Sequence, residues 1–362
     1  MSGDRRLSIL LGVAGFTLAT LYVPWFFSAA DVPRWAALAV VLSIAFATLD
    51  PRPWTAARFI GAVFVAWMAM TVLWAHSAHD AIGGVAKMLM VAAAFEIGAR
   101  LKSVTPIAVG VAAGLFLSAV TSVWAGHGLF DNPNHMGEAA ALTIAAVPVM
   151  VILAGPALII SGSKAGFVAL AAIVALHLEG KARRLIGIVL LAAIGAIAVT
   201  GSGQERIAIW HDALMQLQIF GHGIESVWTA LPRDWFSADT QPEHLHNDWL
   251  EIAYAGGLPA IALAVGFVLF LPLNGAILAF YIIACFNFPL HEPVTAVLFA
   301  LYAGHADRGG ERLRSVFDRW RMAVHEGRRW FGQRIGAPES GGAPFSFRSS
   351  APGVTGKADA GT

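Results

Sequence analysis

TPIAVGVAAGLFLSAVTSVW, residues 105–124, contains no Asp, Glu, Lys or Arg. A helix needs about 20 apolar residues to cross the hydrocarbon of a bilayer. There, only helices and closed barrels satisfy their own backbone hydrogen bonds. Similar runs lie on both sides, at 7–30, 35–49, 59–74 and 82–99, then at 139–160, 165–178, 185–200, 249–271, 276–288 and 294–304. The chain therefore reads as all-α and polytopic, with about eleven spans. Composition agrees: 57% of the 362 residues are hydrophobic and 13% are charged. The mean hydropathy is +0.67, which lies outside the range of soluble domains. The first run follows Arg5 and Arg6, but it is too long for a signal peptide and leads directly into more apolar sequence, so it reads as a retained helix.

The long polar interruption is 201–248. It carries Arg206 and Arg233 against seven acids, Glu205, Asp212, Glu225, Asp234, Asp239, Glu243 and Asp248. Arg5, Arg6, Arg52, Arg58, Arg100, Lys102, Lys181, Arg183 and Arg184 collect in other connections and belong on the cytoplasmic side, which places the acidic loop outside. Counting crossings from the N-terminus puts residues 126–137 outside, whereas counting back from the tail puts them inside. Pro148, Gly155 and Pro156 point to a short broken or re-entrant hairpin between Asn134 and Lys164; the alternative is that one half of the chain breaks the charge rule. The organisation expected is a transmembrane domain at 1–304, a cytoplasmic basic amphipathic helix at 305–335 suited to a membrane surface, and a disordered tail at 336–362 rich in Gly, Pro and Ser.

Four polar groupings interrupt the apolar pattern. Asn132-Pro133-Asn134-His135 is a turn that feeds a helix, or a polar linker. Ser161-Gly162-Ser163-Lys164 sets a cation at a helix start, which suits a phosphate or a lysine snorkelling to the interface. Arg206 and Trp210 are four apart on an expected amphipathic helix; a guanidinium grips phosphate through two parallel hydrogen bonds and an indole stacks on sugar, while an Arg206 surface ion pair is the plainer use. The fourth is Glu243-His244-Leu245-His246-Asn247-Asp248-Trp249-Leu250-Glu251, followed by Gly256-Gly257-Leu258-Pro259. A histidine at the outer mouth of a helix is suited to general-base work. Asn247 or Asp248 would orient it or cap the following helix. His211, His222 and His244 raise the question of a metal, but no carboxylate–histidine spacing matches a known ligand pattern, and none is expected. The single Cys285 offers no intramolecular disulfide and no cysteine metal cluster.

These residues, together with Gly221-His222-Gly223 and Asn287-Phe288-Pro289-Leu290-His291, resemble the O-antigen ligase and O-antigen polymerase superfamily of bacterial inner-membrane glycosyltransferases, in order and spacing over 128–304. The resemblance implies a GT-C-like enzyme with its active face in the periplasm. Its donor would be a glycan on undecaprenyl diphosphate, used without cofactor, metal or nucleotide sugar. The acceptor would be lipid A core, a growing glycan or a protein, and the partners would be membrane lipids rather than nucleic acid. Arg206 would hold the donor diphosphate and His246 would activate the acceptor hydroxyl. Lys164, Trp210, His244, Asn247 and Asn134 would bind substrate, with Trp228 and Trp235 as further sugar platforms. Lys164 stands where the family usually has arginine, keeping charge but losing the planar grip. The stretch before it is shorter than in the family, which a deletion between about 148 and 156 would explain. The rival classes are a small-solute transporter, for which Lys87 and Glu96 in the fourth span are the ionisable candidates, and an inactive, shortened assembly subunit.

Overall fold

The computed structural model describes residues 3–24, 28, 30–47, 53–125, 128–182, 185–189, 194, 201–231 and 243–309. These belong to the unit Met1–Leu313; the unit Arg314–Thr362 lies outside them, as do most of the amphipathic helix and all of the tail expected from the sequence. Trp235 and much of the 185–200 span are also outside. The described residues form helices and no strand. In order these are α1 Gly3–Thr20, α2 Asp31–Ala47, α3 Ala56–Met70, α4 Ala78–Gly98, α5 Thr105–Ala125, α6 Pro133–Ala146, α7 Val151–Ser161, α8 Lys164–His177, α9 Gly201–Met215, α10 Val227–Ala230, α11 Asp248–Phe270, α12 Gly275–Ala284 and α13 Pro293–Ala306. Ala56–Trp74, Ala78–Gly98, Thr105–Ala125 and Asp248–Phe270 are long and apolar enough to cross a membrane, and five shorter apolar helices accompany them. Leu89, Trp124, Ile152, Ile159 and Leu269 stand exposed, as side chains facing lipid do and a water-soluble surface rarely allows on this scale. The protein is an all-helical membrane protein.

Some boundaries differ from the expected spans, for local reasons. The first helix stops at Thr20 rather than reaching residue 30, because Pro24 disfavours helical backbone before it. The second begins at Asp31, whose N–H donates to Ser28 Oγ at 3.0 Å. The 139–160 run, counted as one span, is two helices. Val147 lies at φ −140° before Pro148, whose ring starts a short 3-10 turn, Pro148–Met150, and α7 then packs back on α6. A methyl at Gly137 would overlap Ser161 Oγ and lie 2.5 Å from Ser163 Cβ. Thus the start of α6 abuts the end of α7. Asn134 and Lys164 lie at one end of the bundle, as the hairpin reading required.

Lipid tails give helices little hydrophobic reason to associate, so close approach through small residues carries much of the packing. A methyl at Gly110 of α5 would overlap the Gly12 carbonyl of α1, and one at Gly304 of α13 would overlap the Phe95 carbonyl of α4. At that end Asp307 caps α13 and, fully shielded, accepts from Thr55 Oγ1 at 2.8 Å and Arg58 Nε at 3.2 Å. Glu96 bridges Arg58 and Arg100. Arg58, Arg100 and Arg308 therefore share the end opposite Asn134 and Lys164.

The Gly221-His222-Gly223 turn and the Gly256-Gly257 pair are halves of one joint. Gly257 breaks α11 with φ 68° and ψ −161°, a backbone region open essentially to glycine alone. The freed groups are taken up by the loop: His222 N–H donates to Tyr254 O at 2.9 Å, Gly223 N–H to Ala255 O at 2.9 Å and Leu258 N–H to Ile219 O at 2.9 Å. Trp67 Nε1 donates to the Gly256 carbonyl at 2.8 Å. Broken helices persist at membrane depth only when protein satisfies the backbone in this way. Trp67→Phe should therefore lower unfolding stability in detergent by about 1–2 kcal/mol, the cost of one unmet buried carbonyl, measured as a shift in the denaturant midpoint.

Candidate functional site

The site is built on residues 285–292, the turn between α12 and α13. Pro289 and Pro293 keep α12 from continuing. Cys285 and Phe286 donate backbone N–H groups back to Ile282 and Ile283 and close its last turn. The turn is stitched to the start of α11: Asp248 N–H donates to Asn287 O at 3.2 Å, and Asp248 Oδ2 accepts from Leu290 N–H at 3.0 Å. Asn247 caps α11 by accepting from Leu250 N–H at 3.0 Å and donates its amide to Cys285 O at 3.2 Å. Capping and site-building thus use the same residue.

His246 and Arg206 meet on this turn. Arg206, from α9, donates Nη1 to Phe286 O at 2.6 Å. His246 Nδ1 lies 3.4 Å from Asn287 Oδ1, and its ring meets Phe288 edge-on at 5.0 Å. The Asn287 amide donates to Glu138 of α6, which is fully buried. A carboxylate can only accept, so Asn287 turns its nitrogen to Glu138 and its oxygen to His246. That arrangement calls for the proton on His246 Nδ1 and leaves Nε2 with its lone pair. Burial, and after it the Arg206 charge, push the His246 pKa down to about 4. The backbone at His246 has φ 52°, a left-handed conformation that costs a non-glycine residue free energy.

The remaining expected residues divide. Trp210 donates Nε1 to Leu245 O at 2.7 Å and packs with Ile209, Val227, Leu245 and Tyr254; its indole holds the loop that carries His246. Lys164 heads α8 with its side chain exposed, beside Ser163, which caps Gly166. Asn134 lies in the first turn of α6, its N–H held by Asn132 Oδ1 at 2.9 Å. Among the described residues no ion pair or hydrogen bond joins Lys164 to Arg206 or His246. Trp228 is exposed on the short α10.

Beside His246 the structure assembles a cluster that the sequence spacing did not reveal. Glu251 Oε1 accepts from His244 Nδ1 at 3.0 Å and His291 Nε2 at 3.1 Å, and its Oε2 accepts from Leu245 N–H at 3.0 Å. Glu225 Oε1 lies 3.8 Å from His291 Nδ1 and 3.3 Å from Lys87 Nζ. The His244 ring is 4.0 Å from that of His291 and 4.5 Å from that of Phe288. Glu225, His244 and His291 present ligand atoms within 4.8 Å of one another. His222, by contrast, stacks on Tyr254 at 4.3 Å and bonds Gln216 O at 2.8 Å, a packing role. Asn287 and His291 stood in a motif already singled out, whereas Glu138 and Glu225 gave no signal, because their partners are far away in sequence.

A cavity of about 1000 Å³ runs from this cluster between α3, α4, α11, α12 and α13 to Arg58, Glu96 and Arg100 at the other end. Its wall is mostly apolar, with Phe64, Met88, Ile252, Phe267 and Phe299 along its length. No protein-family model and no curated protein matches the chain.

Proposed function

We propose that the chain is a membrane glycosyltransferase of the O-antigen ligase or polymerase type, moving an undecaprenyl-diphosphate-linked glycan to an acceptor hydroxyl at the periplasmic face of the bacterial inner membrane. The observation that supports this most is the meeting of Arg206 and His246 on residues 286–288, beside the end of an apolar cavity suited to a polyprenyl chain. In the proposed step the acceptor oxygen attacks the anomeric carbon, its proton passes to His246 Nε2, and the carbon–oxygen bond to the diphosphate breaks. Arg206 stabilises the charge left on undecaprenyl diphosphate, and Lys164, at the same end of the bundle, adds positive charge. With 139–160 taken as a re-entrant pair rather than a span, the other ten expected spans would put Asn134, Lys164, Arg206 and His246 outside and Arg58, Arg100 and Arg308 inside, as the charge rule asks.

Surface glycans of a strain lacking the gene test this. Loss of all attached polymer indicates a ligase, single-repeat products indicate a polymerase, and unchanged glycans on lipid and protein alike would remove the proposal. A second reading, a small-solute transporter, draws on the charged groups at both ends of the cavity, Lys87 and Glu225 at one and Arg58 and Glu96 at the other. It predicts solute uptake in proteoliposomes that Lys87→Met abolishes.

A further inference from the structure

We infer that Glu225, His244 and His291 form a binding site for a borderline divalent cation such as Zn²⁺ or Co²⁺. The inference does not rest on the transferase reading. Its geometric core is the disposition of the ring nitrogens. Glu251 takes one nitrogen of each histidine, His244 Nδ1 and His291 Nε2, and a backbone N–H fixes its second oxygen. Metal-binding histidines characteristically donate their outer N–H to a carboxylate in this way, which fixes the tautomer and raises the basicity of the other nitrogen. The nitrogens left over are His244 Nε2 and His291 Nδ1. His291 Nδ1 already lies 3.8 Å from Glu225 Oε1, close to the separation of two ligands each about 2.1 Å from one ion.

Two imidazoles and one carboxylate with a position left open is a donor set that suits zinc-like ions better than Mg²⁺ or Ca²⁺, which prefer oxygen. Glu225 and His291, with Glu251 that holds the histidines, line the cavity. Glu225 is held against Gly84, where a methyl would come within 2.6 Å of Glu225 Cγ, so a side chain at position 84 would displace the ligand. Lys87 Nζ, 3.3 Å from Glu225 Oε1, competes for the same carboxylate. Its side chain is 37% exposed and lines the cavity, so it is free to turn away from Glu225 as the ion binds.

The competition by Lys87 gives the test its sign. The full chain, purified in detergent and stripped with a chelator, is titrated with Co²⁺ and with Zn²⁺, following Co²⁺ absorption and calorimetry. One ion per chain is expected, with a ligand-field spectrum of nitrogen and oxygen donors. Glu225→Gln and His291→Ala should each weaken binding by about 100-fold or more, and Glu251→Gln by about 10–100-fold. Lys87→Met should tighten it roughly three- to tenfold by removing the rival cation. Size-exclusion profiles and helical circular dichroism show that each variant is folded, and the conservative Glu225→Gln carries the test if His291→Ala is not. Absence of saturable binding, equal affinity in Glu225→Gln, or unchanged or weaker binding in Lys87→Met would each overturn the assignment.

Discussion

Gly257→Val should leave almost no folded protein, while Gly83→Ala, also in a membrane helix, should be neutral or slightly stabilising. At Gly257 the φ of 68° with ψ −161° is closed to a β-branched residue. Any Cβ there would overlap the Ile219 carbonyl and lie 2.7 Å from the Gly221 nitrogen. Neither atom can retreat. Ile219 O accepts from Leu258 N–H, and the Gly221 to Gly223 turn is bonded to Tyr254 and Ala255. Gly221 faces the same prohibition from the other side, since a methyl there would overlap Ala255 O and lie 2.6 Å from the Gly257 nitrogen. That glycine-only backbone region alone costs an ordinary residue about 1–3 kcal/mol. With the backbone collision added, the loss should exceed about 4 kcal/mol, the range in which single substitutions unfold marginally stable proteins. At Gly83 nothing lies within 4 Å of an added Cβ, and alanine gains up to about 1 kcal/mol of helix propensity. The yield of monodisperse protein on size exclusion, compared between the two variants, checks the joint directly.

The second large effect concerns the proposed chemistry. His246→Ala should lower glycan transfer by about 10²–10⁴-fold, the usual contribution of a positioned general base. Arg206→Ala should lower it by about 10²–10³-fold, as the loss of one donor to a developing oxyanion does. Arg206→Lys should recover part of the rate but not all of it, because the ammonium keeps the charge and loses the planar fork. Both residues hang on the 285–292 turn, so a trivial collapse of that turn must be excluded. His246 makes a long 3.4 Å contact to Asn287 and an edge-on contact to Phe288, while Asp248 and Asn247 hold the turn independently of it. His246→Ala should thus retain the wild-type denaturant midpoint. A variant as folded and as active as wild type in a strain lacking the gene would remove His246 from the mechanism.

The sequence by itself determined the class of the molecule and the places where polar chemistry sits. An uncharged run as long as 105–124 reads as a helix able to cross a membrane, and Thr105–Ala125 is a helix of that length and composition. Asn247 before a long apolar run is a helix cap whatever surrounds it, and it caps α11. Pro148 broke the 139–160 run for a reason local to its own ring. Tertiary structure alone decided what those elements hold together. Trp210 was legible as an indole on a helix face, but its N–H bond to the backbone carbonyl of Leu245, 35 residues on, was not. Glu138 meets Asn287 across 149 residues, and Glu225 meets Lys87 across 138; no spacing rule reaches that far. Helical periodicity fixes which face a side chain occupies, whereas the partner on the facing helix is set by glycine contacts and by the Gly257 joint. The candidate site depends on that second layer of information.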